Sequence, residues 1–458
     1  MKLRRSEVRR QAHAVPALKF ENPSLTSFAG LVVFQQLFAV LNLAARLRAC
    51  FRHVASGKVF GPARIFLQLV VHLLLGFREL RDSRAYRDDP LVKPILGLDR
   101  LPDVSTLSRM LKNADEKSID NLRRLFMDIT FERLASLGLA RVTLDFDGSV
   151  PSTRRHAEGS AVGYNKKRKG ARSYYPLLCT IAQTAQVLDF LHRSGNVHDS
   201  HGAQEFIWAC IQEVRQALPG ITIEVRMDRA FFSDEIVSYL QQAGLEFTVS
   251  VPFERFAELK GLIEARQRWP RVNSEVSHFE ADWKPKVWDR RSRSLFIRTR
   301  ACRQHKEPIQ LDLFIPHGYG YDFKVIVTHK TLGAHPVVRF HEGRGSQEGI
   351  LGELKSHCQM GYVPVRGRCG NPLYLLAGLF AHNLTRELQM ATAPPCRHTT
   401  AHRAALWAFE KLDTIRNTWL HRAGRLTRPQ GILTLTRNAN SWLRQRLLGV
   451  LQALRPAA

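Results

Sequence analysis

Apolar residues recur at three- and four-residue spacing from Leu25 through Phe51 and again from Ile65 through Phe77. That period predicts helices with buried faces. LPDVSTLSRML carries its own start signal: Asp103 or Ser105 caps a helix that sets Leu107 and Leu111 four apart on one face. Another helix is predicted over about Lys117 to Leu137, so residues 1–135 read as a helical domain.

The period changes to two at Val142. In VTLDFD, Val142, Leu144 and Phe146 share one face, and Thr143, Asp145 and Asp147 share the other. A polar loop, Gly163 to Ser173, leads to two predicted strands, Tyr175 to Ala182 and Val187 to Arg193. GAQEFIWACIQEVRQAL is an amphipathic helix with Phe206, Cys210 and Val214 spaced by four. A strand ending at Asp228, a helix near Asp234 to Gln242 stopped by Gly244, and the strand LEFTVSVPF follow. Three strands on tight connections form an antiparallel meander, and alternation with helices adds parallel strands. The expected fold is α/β with a ribonuclease H-like core.

From Pro252 to Pro336 the pattern differs. This stretch holds Trp269, Trp283 and Trp288, many cations, and the strand runs IQLDLFI and DFKVIVTH. It reads as a mainly β insertion. Helices are predicted again over Glu348 to His357 and Tyr374 to Met390. From Arg397 onward eleven Lys and Arg face only Glu410 and Asp413, which suggests a basic helical tail. The resulting division is a helical region 1–135, a core of 136–251 and 337–395, an insertion 252–336, and helical 396–458.

Charge narrows the function. With 68 basic and 41 acidic side chains the chain carries a net +27, so its expected partner is a polyanion. The seven cysteines are odd in number, widely spaced and without a CxxC pair, which argues against a disulfide framework and a zinc site. A reduced, cytoplasmic setting is expected. The greasy runs Phe28 to Leu41 and Ile65 to Phe77 are too short to span a bilayer, and no membrane role is expected.

Within this basic chain three acids stand in settings suited to metal-dependent phosphoryl transfer. Asp147 and Asp228 end apolar strand runs, and Glu348 opens a helical run. Strand ends hold carboxylates rigidly, and Mg²⁺ takes hard oxygen ligands. Asp145 lies on the same strand face as Asp147 and is an alternative first acid or a supporting one. His341, Arg344, Glu348 and Lys355 lie at offsets 0, 3, 7 and 14, one narrow arc if the segment is helical throughout. Gly343 and Gly345 place the helix start near Ser346, so only Glu348 and Lys355 are certain to share a face. Glu342 and Glu353 are expected to face solvent. Acids that can hold metal in a basic protein point to an enzyme that cuts or joins nucleic acid.

The spacing Tyr, two residues, Arg, three residues, Glu, six residues, Lys is a signature of cut-and-paste DDE transposases, and here only the Tyr position departs, as His341. The segments LDFDGS, GYNKKRKGARSYYPLL, LHRSGNVHDS, RMDRAFFS and EGILGELK resemble the insertion sequence thirteen-eighty family of bacteria over about residues 20–395. The resemblance implies Asp147, Asp228 and Glu348 as catalytic metal ligands for Mg²⁺ or Mn²⁺. It implies Arg344 and Lys355 on transposon-end phosphates, with His341 as a hydrogen-bond donor. Lys166, Lys167, Arg168 and Lys169 are candidate DNA contacts or a solvated loop. Trp283 or Trp288 is either a base-stacking residue or a hydrophobic anchor. The implied partners are double-stranded terminal inverted repeats and target DNA, with a homodimer assembled on them and a nucleoid-associated location in the cytoplasm. Two alternatives stay open: a catalytically inactive DNA-binding derivative, and a nuclease of the same fold without strand transfer.

Overall fold

The structure, a computed structural model, describes residues 17–455 apart from 56, 58, 154–155, 164, 166–167, 198–201, 301–320 and 399–405. The predicted strand IQLDLFI, together with Lys166 and Lys167, lies outside the described residues.

A short strand β1 (Leu25–Thr26) precedes helices α1 (Val32–Val40), α2 (Leu43–Cys50) and α3 (Pro62–Leu74). Pro62 opens α3, where its missing N–H costs nothing. Asp103 caps α4 (Val104–Lys112) by accepting from the Thr106 N–H at 2.7 Å. Asp115 likewise caps α5 (Glu116–Ser136) through Ser118 at 2.6 Å. These helices form no core of their own. They share one with the long, almost wholly buried helix of Gly370–Thr392 and with C-terminal residues such as Trp419 and Leu447. Among the described residues no single helix is long and apolar enough to cross a membrane.

The α/β part is built on an eight-stranded mixed sheet. Its strands are β2 (Arg141–Gly148), β3 (Leu177–Ile181), β4 (Gln186–Leu191), β5 (Thr222–Met227), β6 (Glu246–Val251), β7 (Val276–Trp283), β8 (Ser292–Arg300) and β9 (Tyr321–Thr328). The spatial order is β4-β3-β2-β5-β6-β9-β8-β7. The β2, β3 and β4 strands form an antiparallel meander, while β2, β5 and β6 run parallel. Crossovers through α6 (Ala203–Ala217) and α7 (Asp234–Gln242) connect those parallel strands. The strands of 252–336 are not a body apart. β9 pairs with β6 over Thr248–Val251, so β7–β9 extend the central sheet, with α8 (Ala257–Ala265) in the connection.

The two faces of β2 divide as alternation requires. Val142, Leu144 and Phe146 enter a core with α6 and α7. The opposite face is covered in parts. At the β8–β9 side Leu295, Ile297 and Ile326 pack on α9 (Ala334–Glu342). At the β3–β4 side Leu178, Val187 and Phe190 pack on the helical block, including α10 (Gly345–Ser356) and α11 (Gly370–Thr392). The polar strip Thr143, Asp145, Asp147 runs between.

The C-terminal region departs from the expected helical tail. After a short helix and a π turn it forms a hairpin, β10 (Gly424–Thr427) and β11 (Thr434–Arg437), before α12 (Ser441–Ala453). β10 also pairs with β1, closing a three-stranded sheet across nearly the whole chain length. Pro429 and Gly431 supply the turn chemistry that breaks the helix there.

Candidate active site

Phe146 of β2 stands opposite Met227 of β5 in parallel register. Asp147 and Asp228 are the next residue of each, so they emerge at one end of neighbouring strands. Strand alternation puts them on the same face, with about 4.8 Å between strands. Two carboxylates about 4 Å apart repel by roughly 4 kcal/mol at an effective dielectric of about 20, so this pair needs cations.

Local bonds orient both groups. The Asp147 carboxylate accepts from the Gly148 N–H at 2.8 Å. Asp228 caps the turn Arg229–Phe231 by accepting from the Ala230 N–H at 2.9 Å. Residue 148 has to be glycine, because a Cβ there would lie 2.6 Å from the Tyr175 ring. Arg193 lies over that ring, 5.3 Å from its centre.

One layer lower, Asp145 and Arg226 face each other across the same strand pair. Arg226 donates to both Asp145 oxygens, each at 2.6 Å, and to the Phe340 carbonyl at 2.9 Å. Burial pushes the Asp145 carboxyl up, opposed first by Arg226 and then by Arg344. Asp145 is fully buried, and both of its oxygens are taken up by Arg226. Gln347 of α10 donates to the Asp145 carbonyl at 2.9 Å. Arg226 and Gln347 thus tie β2, β5, α9 and α10 together directly under the acids. Sequence reasoning missed both; their sole signal was polarity in segments destined for burial.

The α9–α10 junction follows from sterics. A Cβ on Gly343 would approach the Arg226 Nη1 to 2.3 Å, so the glycine lets the guanidinium reach the Phe340 carbonyl. The chain breaks there, and Arg344 turns inward to an ion pair with Asp147 at 3.5 Å. Glu348 and Lys355 lie on the exposed side of α10.

His341 does not belong to that exposed face. It ends α9 instead of lying on α10, and it is 1 % exposed. Its Nδ1 bonds the Thr248 hydroxyl at 2.9 Å and its Nε2 the Ser250 hydroxyl at 2.8 Å. Burial, then Lys324, Arg344 and Arg226, hold it neutral, well below its usual pKa. It pins α9 to β6 with both ring nitrogens engaged. Glu353 also departs from expectation: it is buried, accepts from Arg386 and from the Leu412 N–H at 3.0 Å, and anchors α10 to α11. Glu342 is exposed as expected. Trp283 and Trp288 are buried against Phe232, with Trp288 stacked 4.7 Å from it, and act as hydrophobic anchors. Arg168 and Lys169 are exposed.

A family model described as transposase DDE domain group 1 matches residues 11–456. The chain belongs to the DDE transposase family. No curated protein sequence matches it as a relative. Among solved structures it is similar to the piggyBac transposase synaptic complex with hairpin DNA, at 12% identity and a TM-score of 0.41, covering 86% of this chain and 79% of that one. It is also similar to the Mos1 transposase paired-end complex with left transposon end, at 10% identity and a TM-score of 0.19, covering 37% and 56%.

Membership in the DDE family implies a divalent metal. The donor chemistry of Asp147 and Asp228, hard oxygens on adjacent strand ends, fits such an ion. Among the described residues no group of three or more His, Cys, Asp or Glu is drawn together to hold one. In this DDE transposase Arg344 faces Asp147, and Glu348 stands one helical turn further along.

Proposed function

We propose that this DDE transposase is a catalytically active, ribonuclease H-like enzyme of a bacterial insertion sequence, of the thirteen-eighty kind. It cuts DNA at its element's terminal inverted repeats and joins the ends to target DNA as a homodimer. The observation that carries this reading is the emergence of Asp147 and Asp228 from neighbouring parallel strands, on the face where Arg344, just before α10, pairs with Asp147.

Mg²⁺ or Mn²⁺, when bound, would activate the attacking oxygen and stabilise the leaving one. Asp147 and Asp228 would hold the metal, with Glu348 as third carboxylate. Arg344 and Lys355 orient a backbone phosphate between the acids, and fixed charge close to the reacting group is the main contribution such a site makes. Arg168 and Lys169 extend the basic surface toward the duplex.

One observation favours a second reading, a DNA-binding protein without catalysis: among the described residues Asp147, Asp228 and Glu348 are not drawn into one metal-holding group. Cleavage of a labelled duplex bearing the element's terminal repeat separates the two. Metal-dependent cuts at the repeat boundary, lost on Asp228→Ala while end binding persists, support the enzyme. Binding without cuts in Mg²⁺ and Mn²⁺ supports the second reading, and normal cleavage by Asp228→Ala refutes the assigned site.

A further inference from the structure

Among the described residues, one arginine of the C-terminal hairpin finds no hydrogen-bond acceptor for its guanidinium. All three guanidinium nitrogens of Arg437, on β11, are buried and lack a hydrogen-bond acceptor. Across the hairpin Arg437 stands opposite Gly424. The charged group acting on it is another cation, Arg422, and with burial this lowers the Arg437 pKa. Arg422 is bound only by carbonyls, those of Thr418 and Asn417 at 3.0 Å each, so its charge is not neutralised. Arg425 reaches only the Ser24 hydroxyl, at 3.4 Å. A shallow cavity of about 410 Å³ lies among these three arginines, His421, Thr436 and Asn438. No Asp or Glu occurs after Asp413, and eight arginines do.

A desolvated guanidinium beside a like charge is unfavourable unless an anion completes it. Arginine's planar fork fits a phosphate with two parallel bonds, and a threonine hydroxyl and an asparagine amide add donors at the rim. From this juxtaposition we propose that the Arg422–Arg425–Arg437 cluster on the β1-β10-β11 sheet is a backbone-phosphate site for double-stranded DNA. The site is separate from the carboxylate-bearing end of β2 and β5, and it holds the duplex without reading its sequence. Chain connectivity makes the hairpin a second clamp, since phosphate contacts fix register rather than specificity. This inference rests on the chain being a DNA-handling protein, but not on its catalysing cleavage.

The test is binding of the full-length protein to a labelled duplex of arbitrary sequence, in EDTA, over a range of chloride concentrations. Arg437→Gln is expected to bind about tenfold more weakly, as for one charge-assisted bond. Its plot of log affinity against log salt should be shallower by about 0.9, one phosphate contact. Its melting temperature should equal or exceed that of the wild type, because an unpaired charge is removed. Arg425→Gln, on an exposed side chain, gives the same readout if Arg437→Gln does not fold. Inorganic phosphate at matched ionic strength should compete with duplex for the wild type and lose that extra effect in Arg437→Gln. Equal affinity and slope in both variants overturn the inference while leaving the proposed function standing. Phosphate binding at Arg437 without any effect on duplex overturns it in favour of a small-anion site. A wild type that binds no duplex overturns both readings.

Discussion

Arg226 holds Asp145 through two hydrogen bonds of 2.6 Å, and the pair lies two residues below Asp147 on one strand and Asp228 on the next. The same guanidinium reaches the Phe340 carbonyl, while Asp145 receives Gln347. A buried ion pair therefore braces the two strands directly beneath the acids. Removing one partner leaves a buried charge alone. Arg226→Met should destabilise the fold by about 3–5 kcal/mol in denaturant titration. Arg226→Met with Asp145→Leu should recover much of that, because no unpaired charge remains. Equal stability of the single and double variants would contradict this account.

Gly343 gives a sharper test of geometry. A methyl group at this position meets the Arg226 Nη1 at 2.3 Å. Gly343→Ala should cost about 1–3 kcal/mol of stability as the junction shifts. It should reduce metal-dependent cleavage far more than duplex binding, since Arg344 and Glu348 hang from that junction. A parallel loss of both would mean the junction serves only folding.

Arg344 pairs with the Asp147 carboxylate, for which a divalent ion bound as proposed would compete. Without DNA, Arg344→Ala should bind Mn²⁺ more tightly than the wild type, read by electron paramagnetic resonance of the free ion. With DNA its cleavage should fall, because the phosphate contact is gone. Unchanged or weaker Mn²⁺ binding would show that Arg344 does not mask the aspartate.

Acid should weaken the helical block through His72. The ring is fully buried, bonded to the Tyr86 hydroxyl at 2.9 Å, and burial lowers its pKa from 6.5 to about 4. Between those values the unfolded chain binds a proton that the folded chain does not. Stability is therefore full above pH 6.5 and falls as pH drops toward 4, by up to about 1.4 kcal/mol per pH unit for this group. His72→Phe should flatten that part of a stability-versus-pH curve. An unchanged slope would place the acid sensitivity elsewhere, with His382, also held near 4 by burial, the next group to replace.

Glu353 tests how α10 is fixed at its far end. Glu353→Ala strands Arg386, buried at 4 % exposure, and should cost about 3–5 kcal/mol. Glu348→Ala, on the exposed side of the same helix, should leave the melting temperature nearly unchanged and abolish cleavage.

Much of this was present in one dimension. The period-two run at Val142–Asp147 and the period-four faces of α4 and α6 each follow from neighbours a few residues apart, and caps such as Asp103 are local too. The placement of Asp147, Asp228 and Glu348 at element ends was legible for the same reason. What tertiary structure decided is which polar groups are buried and what they meet. His341 and Glu353 sit at helical spacings that suggest solvent, yet one is pinned to β6 and the other to α11, because the faces covering α9 and α10 come from strands and helices distant in sequence. Asp145 and Asp147 are alike to any reading of alternation; Arg226, 81 residues from Asp145, gives the two different surroundings. The C-terminal arginines announced a polyanion by composition, but only pairing of β10 with β1, across some four hundred residues, folded Arg437 into a cavity without a counter-charge. Local periodicity is written in covalent order. The partner of a buried charge is chosen by long-range packing, which one chain's sequence does not spell out.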